Sequence, residues 1–312
     1  MSQQRPPRQP LVSPGAIDCH VADLTACFSA DVTLAAAQGA LASHDQFLPV
    51  DGDPEATLGR LVSINSTGPL RLGYGAWRDL LLGAQFLNGR GELISAGGRT
   101  VKNVAGYDLT KFAVGQGDVC ARVVTLTTRT YKRPAGALLA RFAPDADVLQ
   151  SLVPSVLRPQ WSLLTREALL CGYLGDERSL DFWMERLPAR SPIDITRRSL
   201  ADDIAHRAAL WRAGSESLAR IAIPPAKLNE FAKSLGDQTW AADANFGIVM
   251  VSGDLDIARL KSLVTEAGGY LTFIEADGSV RAPAFGVNEQ QILSRLKHAF
   301  DPDGALRDIQ YV

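Results

Sequence analysis

Apolar and polar positions alternate with recognisable periods along most of the chain. Residues 31–41 (DVTLAAAQGAL) carry apolar side chains at helical spacing, with Asp31 placed as the N-cap. In the segment 84–96, Asn88-Gly89 lies between two apolar stretches, and this dipeptide favours the positive φ angles of a tight hairpin turn. The pattern therefore predicts a helix followed, after a loop, by a β-hairpin.

The region after the hairpin predicts a short helix and a long strand. Asp108 is a suitable N-cap for a helix that runs to Val114, and Gly115 can end it. Residues 119–131 (VCARVVTLTTRTY) are rich in β-branched side chains, which is typical of a strand.

From Pro134 onward, strand-like and helical segments alternate. Strands are predicted at 136–142, 161–174, 219–224, 245–253 and 269–276, and helices at 145–157, 177–187, 226–236, 256–268 and 288–300. Elements of this length and order predict an α+β sandwich with ferredoxin-like βαβ units, in which helices cover one face of a mainly antiparallel sheet. We expect a lead at 1–16, a first domain at 17–134 and a second at 135–312.

Composition indicates an ordinary globular protein. The chain has 312 residues, about twice a typical domain, with 46% hydrophobic and 21% charged residues. A formal net charge of -2 provides no positive field for nucleic acid or for anionic lipid. The polar, proline-rich N-terminus lacks the apolar core of a signal peptide, and no apolar run approaches the length of a membrane span. These features predict a disordered lead on a cytoplasmic protein.

Cysteine and histidine positions give no catalytic or metal-binding pattern. The four cysteines are far apart, which predicts buried free thiols and neither a zinc site nor an iron–sulfur cluster in this chain. The four histidines are scattered, and the common hydrolase, metalloprotease and phosphate-loop motifs are absent from the sequence. We therefore assign no catalytic residue and no metal ligand.

The segment 57–115 contains glycine and small residues around short apolar runs. Two interpretations follow. Backbone that approaches a flat ring or a pyrophosphate needs residues without bulky side chains. A loop-rich β domain, however, also needs glycines for its turns, and composition alone favours this second interpretation.

The order of the residues in this segment favours the first interpretation, in which the backbone approaches a cofactor. The pattern T-L-G-x-L-V-x-x-x-x-x-G-P-x-R-x-G-Y-G-x-x-R-D begins at Thr57, and G-G-R-x-V-K-N-V-A-G-Y-D-L follows the hairpin. Both resemble the flavin domain of the FAD-binding subunit of glycolate oxidase. That family belongs to the FAD-linked oxidases named for vanillyl-alcohol oxidase and p-cresol methylhydroxylase (PCMH). The resemblance covers about residues 40–134, and FDPDG at 300–304 is similar to the family's closing F-D-P-x-G.

This resemblance implies a partial PCMH-type FAD-binding domain followed by an α+β cap domain. It implies FAD as cofactor, with the flavin accepting a hydride from a 2-hydroxy acid such as glycolate or relaying electrons. It also implies partner subunits of the glycolate oxidase type, including an iron–sulfur subunit. The residues expected beside the cofactor are Thr57, Leu58, Gly59, Ser63, Thr67, Gly68, Lys102, Asn103, Gly106 and Val123.

The sequence also departs from the family pattern. Family members begin with a subdomain that carries a Gly-rich pyrophosphate loop, and we expect that subdomain to be missing, since only Gly15 and Gly39 precede Gly52. By alignment, Asp118 occupies a glycine position, so its carboxylate would face the phosphates of FAD if the loop kept the family conformation. Arg60 replaces the second small residue of T-L-G-G.

These departures leave an alternative open. The chain could be a flavin-free paralogue that acts as an assembly or interaction subunit, and a partner chain could complete the FAD site. If FAD binds, we expect that Gly59→Leu or Gly68→Leu abolishes binding and leaves the fold intact.

Overall fold

The computed structural model describes residues 11–98, 109–211, 218–275, 280–283 and 287–312. These residues form two compact units. Unit 1 takes the described residues within Met1–Thr67, Gly75–Arg133 and Phe285–Ile309, and unit 2 takes those within Gly68–Tyr74, Pro134–Ala284 and Gln310–Val312. Most of unit 2 thus follows Arg133, and the chain later returns to unit 1. The sequence-based division into domains at 17–134 and 135–312 stays a prediction.

The elements are numbered in chain order. Up to residue 133 the strands are β1 (Ile17–His20), β2 (Thr25–Ser29), β3 (Gln46–Phe47), β4 (Leu81–Leu87), β5 (Leu93–Gly97), β6 (Arg122–Arg129) and β7 (Tyr131–Lys132). The helices in this part are α1 (Leu34–Ala42), α2 (Leu58–Ser63), α3 (Arg71–Tyr74), α4 (Trp77–Leu80) and α5 (Leu109–Phe112).

The rest of the chain continues the numbering. Its strands are β8 (Gly136–Phe142), β9 (Trp161–Leu164), β10 (Leu169–Gly175), β11 (Asp194–Arg198), β12 (Leu218–Ala222), β13 (Thr239–Asp243), β14 (Ile248–Ser252), β15 (Tyr270–Ile274), β16 (Val280–Ala282) and β17 (Gln310–Tyr311). Its helices are α6 (Asp147–Leu152), α7 (Glu177–Arg186), α8 (Leu200–Trp211), α9 (Leu228–Ser234), α10 (Ile257–Glu266) and α11 (Val287–Phe300). None of the helices in the described ranges is long and apolar enough to cross a bilayer.

Unit 1 contains an antiparallel sheet in the order β1-β2-β6-β4-β5. Its core includes Phe28, Trp77 and Phe86, all fully buried. Helix α1 forms as predicted, but its N-cap is Thr33, whose Oγ1 accepts a hydrogen bond from the Ala36 amide at 3.2 Å. Asp31 lies outside the helix and accepts from the amide of Gly15 instead, so its predicted capping role is wrong.

The β4–β5 hairpin is confirmed, but its turn differs from the expected one. Oδ1 of Asn88 accepts from the amides of residues 90 and 92, which spreads the turn over several residues. The left-handed residue is Gly91, with φ of +74°, rather than Gly89. Gly89 lacks a side chain for another reason, because a Cβ there would collide with the carboxylate of Asp301.

The predicted strand at 119–131 begins later than expected. Residues 114–121 form a loop that is held by the side chain of Gln116. Its Oε1 accepts a hydrogen bond from the Cys120 amide at 2.8 Å, and its Nε2 donates to the Ala121 carbonyl. Regular pairing therefore starts at Arg122. The short helix α5 ends at Phe112, and Gly115 follows it with φ of +79°.

Unit 2 is built on a sheet in the order β11-β8-β10-β9-β13-β14-β12-β15-β16-β17. The segments β8-α6-β9-β10-α7-β11 and β12-α9-β13-β14-α10-β15 are two βαββαβ repeats with the same internal strand order. The repeats join where β9 pairs with β13. The predicted α+β class with ferredoxin-like units is therefore confirmed.

One hairpin of unit 2 differs from the sequence prediction. The single strand expected at 161–174 is the hairpin β9–β10, in which Thr165 and Ala168 exchange hydrogen bonds across the turn. The helical face of the sheet holds one apolar core, which includes Leu152, Tyr173 and Val249. The opposite face holds a second cluster, which includes Trp161, Leu163 and Met250.

Candidate functional site

The segment that carries the sequence motif begins with helix α2. Thr57 caps it, because its Oγ1 accepts from the Arg60 amide at 3.3 Å. The amide of Leu58 donates to the Val32 carbonyl at 2.8 Å, and the side chain of Leu58 is fully buried. These contacts hold the start of α2 against the chain that follows β2.

Gly59 allows that close approach. Its amide donates to the Ala30 carbonyl at 2.8 Å, and a Cβ at Gly59 would lie 2.8 Å from the Cβ of Ala30. Gly68 has φ of +68°, a conformation that side chains other than glycine adopt at a cost. The contact with Ala30 contradicts the expectation that Gly59→Leu spares the fold. For Gly68→Leu the positive φ adds backbone strain, and the expected effect on the fold stays a prediction.

Two polar side-chain atoms on this segment are buried without a hydrogen-bond partner among the described residues. Oγ of Ser63 and Oδ1 of Asn65 are inaccessible and have no hydrogen-bond partner among the described residues. Such an atom costs free energy unless a ligand or water satisfies it. Sequence reasoning singled out Ser63 but not Asn65, whose constrained position is shown only by its φ of +53° in the structure.

The loop 114–121 lies directly against these two residues. The amide of Gly117 donates to the Ser63 carbonyl at 3.0 Å, and the amide of Gly115 donates to the Val62 carbonyl at 2.9 Å. A Cβ at Gly115 would come within 3.2 Å of the Asn65 side chain. We call the residues 62–65 and 115–118 the loop cluster.

Asp118 follows Gly117 in the loop cluster. It is half-buried and has φ of +60°, the left-handed conformation that glycine adopts most readily. The backbone at this position therefore has the geometry of a glycine, while the side chain is acidic.

The other predicted site residues are distributed as follows. Thr67 is buried, and its carbonyl accepts from the Asp51 amide at 3.1 Å. Val123 lies on β6 opposite Phe86 and packs in the core of unit 1. Lys102, Asn103 and Gly106 lie outside the described residues, as does Asp108. Cofactor contact stays a prediction for each residue of the set.

The chemistry of the loop cluster fits a polar ligand in part. A hydroxyl and a carboxamide can bond the ribityl hydroxyls, the ring edge or the phosphates of FAD. The carboxylate of Asp118 fits phosphate oxygens poorly, because like charges repel. Within the described residues, no group of three or more His, Cys, Asp or Glu side chains is arranged to hold a metal ion.

Unit 2 also contains a groove of about 720 Å³. Its polar side chains bond one another: Nδ2 of Asn229 donates to Asp145 at 2.9 Å, and Arg166 donates to Asp237 at 3.2 Å. Groups that satisfy each other in this way do not converge on a ligand.

Comparison with known proteins supports the resemblance. The chain is 31% identical over 130 residues to glycolate oxidase subunit GlcE of Escherichia coli, covering 41% of this chain and 37% of that protein. It is 33% identical over 160 residues to a D-lactate dehydrogenase of Archaeoglobus fulgidus, covering 50% and 36%. It is 33% identical over 108 residues to an uncharacterized FAD-linked oxidoreductase of Mycobacterium tuberculosis, covering 34% and 23%. The resemblance to FAD-linked oxidases is thus confirmed.

The extent of these matches limits what they imply. The chain spans less than two thirds of the length of each of these relatives. No family model matches the chain. A solved structure of a chitooligosaccharide oxidase is similar with a TM-score of 0.65 and 15% identity, covering 95% of this chain and 80% of that one. At that identity the likeness bears on the fold alone.

Proposed function

We propose that this chain, a sequence relative of FAD-linked oxidoreductases, binds FAD and takes part in the oxidation of a 2-hydroxy acid. The observation that carries the proposal is the pair of buried atoms without partners, Ser63 Oγ and Asn65 Oδ1, on the segment that contains the T-L-G motif. A bound ligand with polar groups would remove the free-energy cost of both.

The reaction is a two-electron oxidation. Bound FAD supplies the acceptor for the hydride equivalent that leaves the hydroxyl-bearing carbon, while the hydroxyl proton passes to solvent. The part of this chain is binding and orientation: the Ser63 hydroxyl and the Asn65 carboxamide would hold the cofactor, and Gly59 and Gly68 keep the backbone around it close. We assign no residue to proton removal.

The subunit role belongs to the same proposal. Relatives that carry the name glycolate oxidase subunit suggest an assembly of several chains. We propose that this chain associates with such subunits, including an iron–sulfur subunit that takes electrons from the flavin. The four dispersed cysteines here are consistent with cluster ligation by another chain.

A second candidate function is an assembly subunit without flavin. The half-buried Asp118 at a glycine-like backbone position favours it, since a carboxylate there would repel the pyrophosphate of FAD. A partner chain that completes the cofactor site would reconcile both candidates.

The test is a titration of the purified protein with FAD, followed by absorbance and by quenching of flavin fluorescence. We expect saturable binding that Ser63→Ala weakens about tenfold, which corresponds to roughly one hydrogen bond to a buried group. Ser162→Ala is the matched control, because the Ser162 hydroxyl is also buried without a partner among the described residues but lies on β9 in unit 2.

The outcomes separate the candidates. Binding that only Ser63→Ala weakens supports the flavin site at the loop cluster. Saturable binding that neither substitution changes would place the flavin elsewhere. Absence of binding at high FAD, with or without the partner subunits, would favour the assembly role.

A further inference from the structure

An arginine lies on the face of the unit 2 sheet opposite helices α6, α7, α9 and α10. Arg220 is on β12, directly opposite Met250 on β14 and Thr272 on β15. Cross-strand partners point to the same face of an antiparallel sheet. Met250 belongs to the apolar cluster on the face opposite α6, α7, α9 and α10, so Arg220 points to that face as well.

A second arginine approaches the same place. The guanidinium of Arg71, on α3, lies 4.2 Å from the ring centroid of Phe246, in the turn between β13 and β14. Burial lowers the pKa of Arg220, and the positive charge of Arg71 lowers it further. The two guanidinium groups are thus near enough to repel each other, and both remain partly accessible.

Nearby carboxylates do not fully balance the positive charges of Arg71 and Arg220. In the ranges that the structure describes, neither guanidinium has a carboxylate within 4.0 Å. Arg71 interacts electrostatically with Asp243, at the end of β13, whose carboxylate accepts from the amides of Asn245 and Phe246. Burial raises the pKa of Asp243 to about 7, against a smaller opposing effect of Arg71, so it is only partly ionised near neutral pH.

The arrangement therefore carries excess positive charge in a partly desolvated position. A buried charge without a partner is costly, and a bound anion would offset that cost. Guanidinium groups match the two oxygens of a carboxylate in a bidentate geometry. Thr272, next to Arg220, adds a hydroxyl that can bond a further oxygen of the ligand.

We propose that Arg71 and Arg220 form a binding site for a small organic carboxylate on the face of the unit 2 sheet opposite α6, α7, α9 and α10. The identity of that ligand as a 2-hydroxy acid rests on the proposed function. The site itself does not, because carboxylate binding can be measured without flavin.

The experiment measures binding of glycolate and D-lactate to the full chain at constant ionic strength, by calorimetry and by the shift in unfolding temperature. We expect saturable binding that Arg220→Met weakens at least tenfold. Without carboxylate, Arg220→Met should raise the unfolding temperature, since it removes the repulsion with Arg71. A merely structural arginine would give the opposite change. Arg178→Met, at an exposed position on α7, is the matched control and should change neither quantity.

Each other outcome is decisive. If glycolate and D-lactate do not bind, or bind equally to Arg220→Met and Arg71→Met, the site is refuted. If inorganic phosphate binds as tightly as the carboxylates with the same loss in Arg220→Met, the carboxylate assignment is wrong. If Arg220→Met does not fold, Arg220→Lys replaces it in the test. This variant keeps the charge but should weaken binding, because lysine lacks the planar guanidinium that bonds both carboxylate oxygens. Carboxylate binding without FAD binding would contradict the proposed function and leave this site standing.

Discussion

Asp118 combines a left-handed backbone with an acidic side chain beside Ser63 and Gly117. The conformation at φ of +60° is one that glycine adopts without strain. If FAD binds at the loop cluster, the carboxylate raises the free energy of the bound pyrophosphate by electrostatic repulsion. We expect Asp118→Gly to tighten FAD binding by about tenfold, the effect of roughly 1.4 kcal/mol of repulsion. The measurement is the same FAD titration.

The control for Asp118→Gly is Asp45→Gly. Asp45 has φ of +56° and lies elsewhere in unit 1, so the substitution relieves a similar backbone strain without touching the loop cluster. Equal FAD affinities for the two variants would contradict the repulsion.

Asp243 predicts a pH dependence of stability. Its pKa rises from an ordinary value of 3.8 to about 7 in the folded chain, chiefly by burial. The native state therefore binds a proton more tightly than the unfolded state, and the free energy of unfolding falls as pH rises from about 4 to about 7, by ~4 kcal/mol at most from this group. Asp243→Asn should remove that part of the decline, as measured by urea unfolding between pH 5 and pH 8.

Asp254→Asn serves as the comparison for Asp243, because Asp254 is exposed after β14 in the same unit. The two variants should differ in slope against pH. If Asp243→Asn keeps the slope of the unsubstituted protein, burial of the carboxylate does not control it.

At the scale of elements, helix α8 contains a buried ion pair that contacts the sheet through Trp161. Asp203 and Arg207 are almost inaccessible and contact each other, and Nε1 of Trp161 donates to Asp203 at 3.2 Å. Asp203→Ala removes a carboxylate that contacts the buried guanidinium of Arg207, and loss of such a contact is costly. We expect Asp203→Ala to lower the free energy of unfolding by roughly 3–5 kcal/mol in urea titrations.

Asp181 provides the matched comparison on α7. It pairs with Arg197 at 3.0 Å, but both side chains are exposed. Asp181→Ala should cost less than about 1 kcal/mol, because solvent screens the pair. A similar cost for both variants would mean that burial is not what strengthens the contact with Arg207.

The elements that the sequence predicted well have strong periodicity and clear end signals. Helix α7 matches its prediction to within one residue, and Asp176 caps it as an acceptor for the Ser179 amide. Helix α8 was missed, since its buried positions include Asp203 and Arg207, which read as surface residues. The β9–β10 turn was missed because Arg166-Glu167 contains none of the usual turn residues.

The candidate sites were predictable to different degrees. The motif around Thr57 and Ser63 directed attention to the loop cluster, because its residues are close in sequence. The carboxylate site was not predictable, since Arg71 and Arg220 are far apart in the chain. Their proximity depends on strand register and on the position of α3, which local patterns do not encode.

At the scale of the whole molecule, unit 1 is assembled from distant parts of the chain, because residues from the C-terminal region return to it after most of unit 2. The turn at 300–304 fixes this return. Nζ of Lys297 contacts the carboxylate of Asp301 and donates to the Val119 carbonyl at 3.1 Å. Asp301 also accepts from the Ala305 amide at 2.7 Å, and Gly89 donates to the Phe300 carbonyl at 2.8 Å.

These contacts predict which segments become less stable when the carboxylate of Asp301 is removed. Asp301→Asn removes the buried ionic partner of Lys297 and leaves the exposed Asp308 at 4.0 Å. The C-terminal turn should therefore loosen its hold on the β4–β5 hairpin and on the loop 114–121. We expect faster amide hydrogen exchange in those segments and unchanged exchange in β12 to β14 of unit 2. Asp303→Asn, at an exposed position of the same turn, should leave both patterns unchanged. Uniformly faster exchange in both units after Asp301→Asn would mean that this turn stabilises the whole chain rather than unit 1.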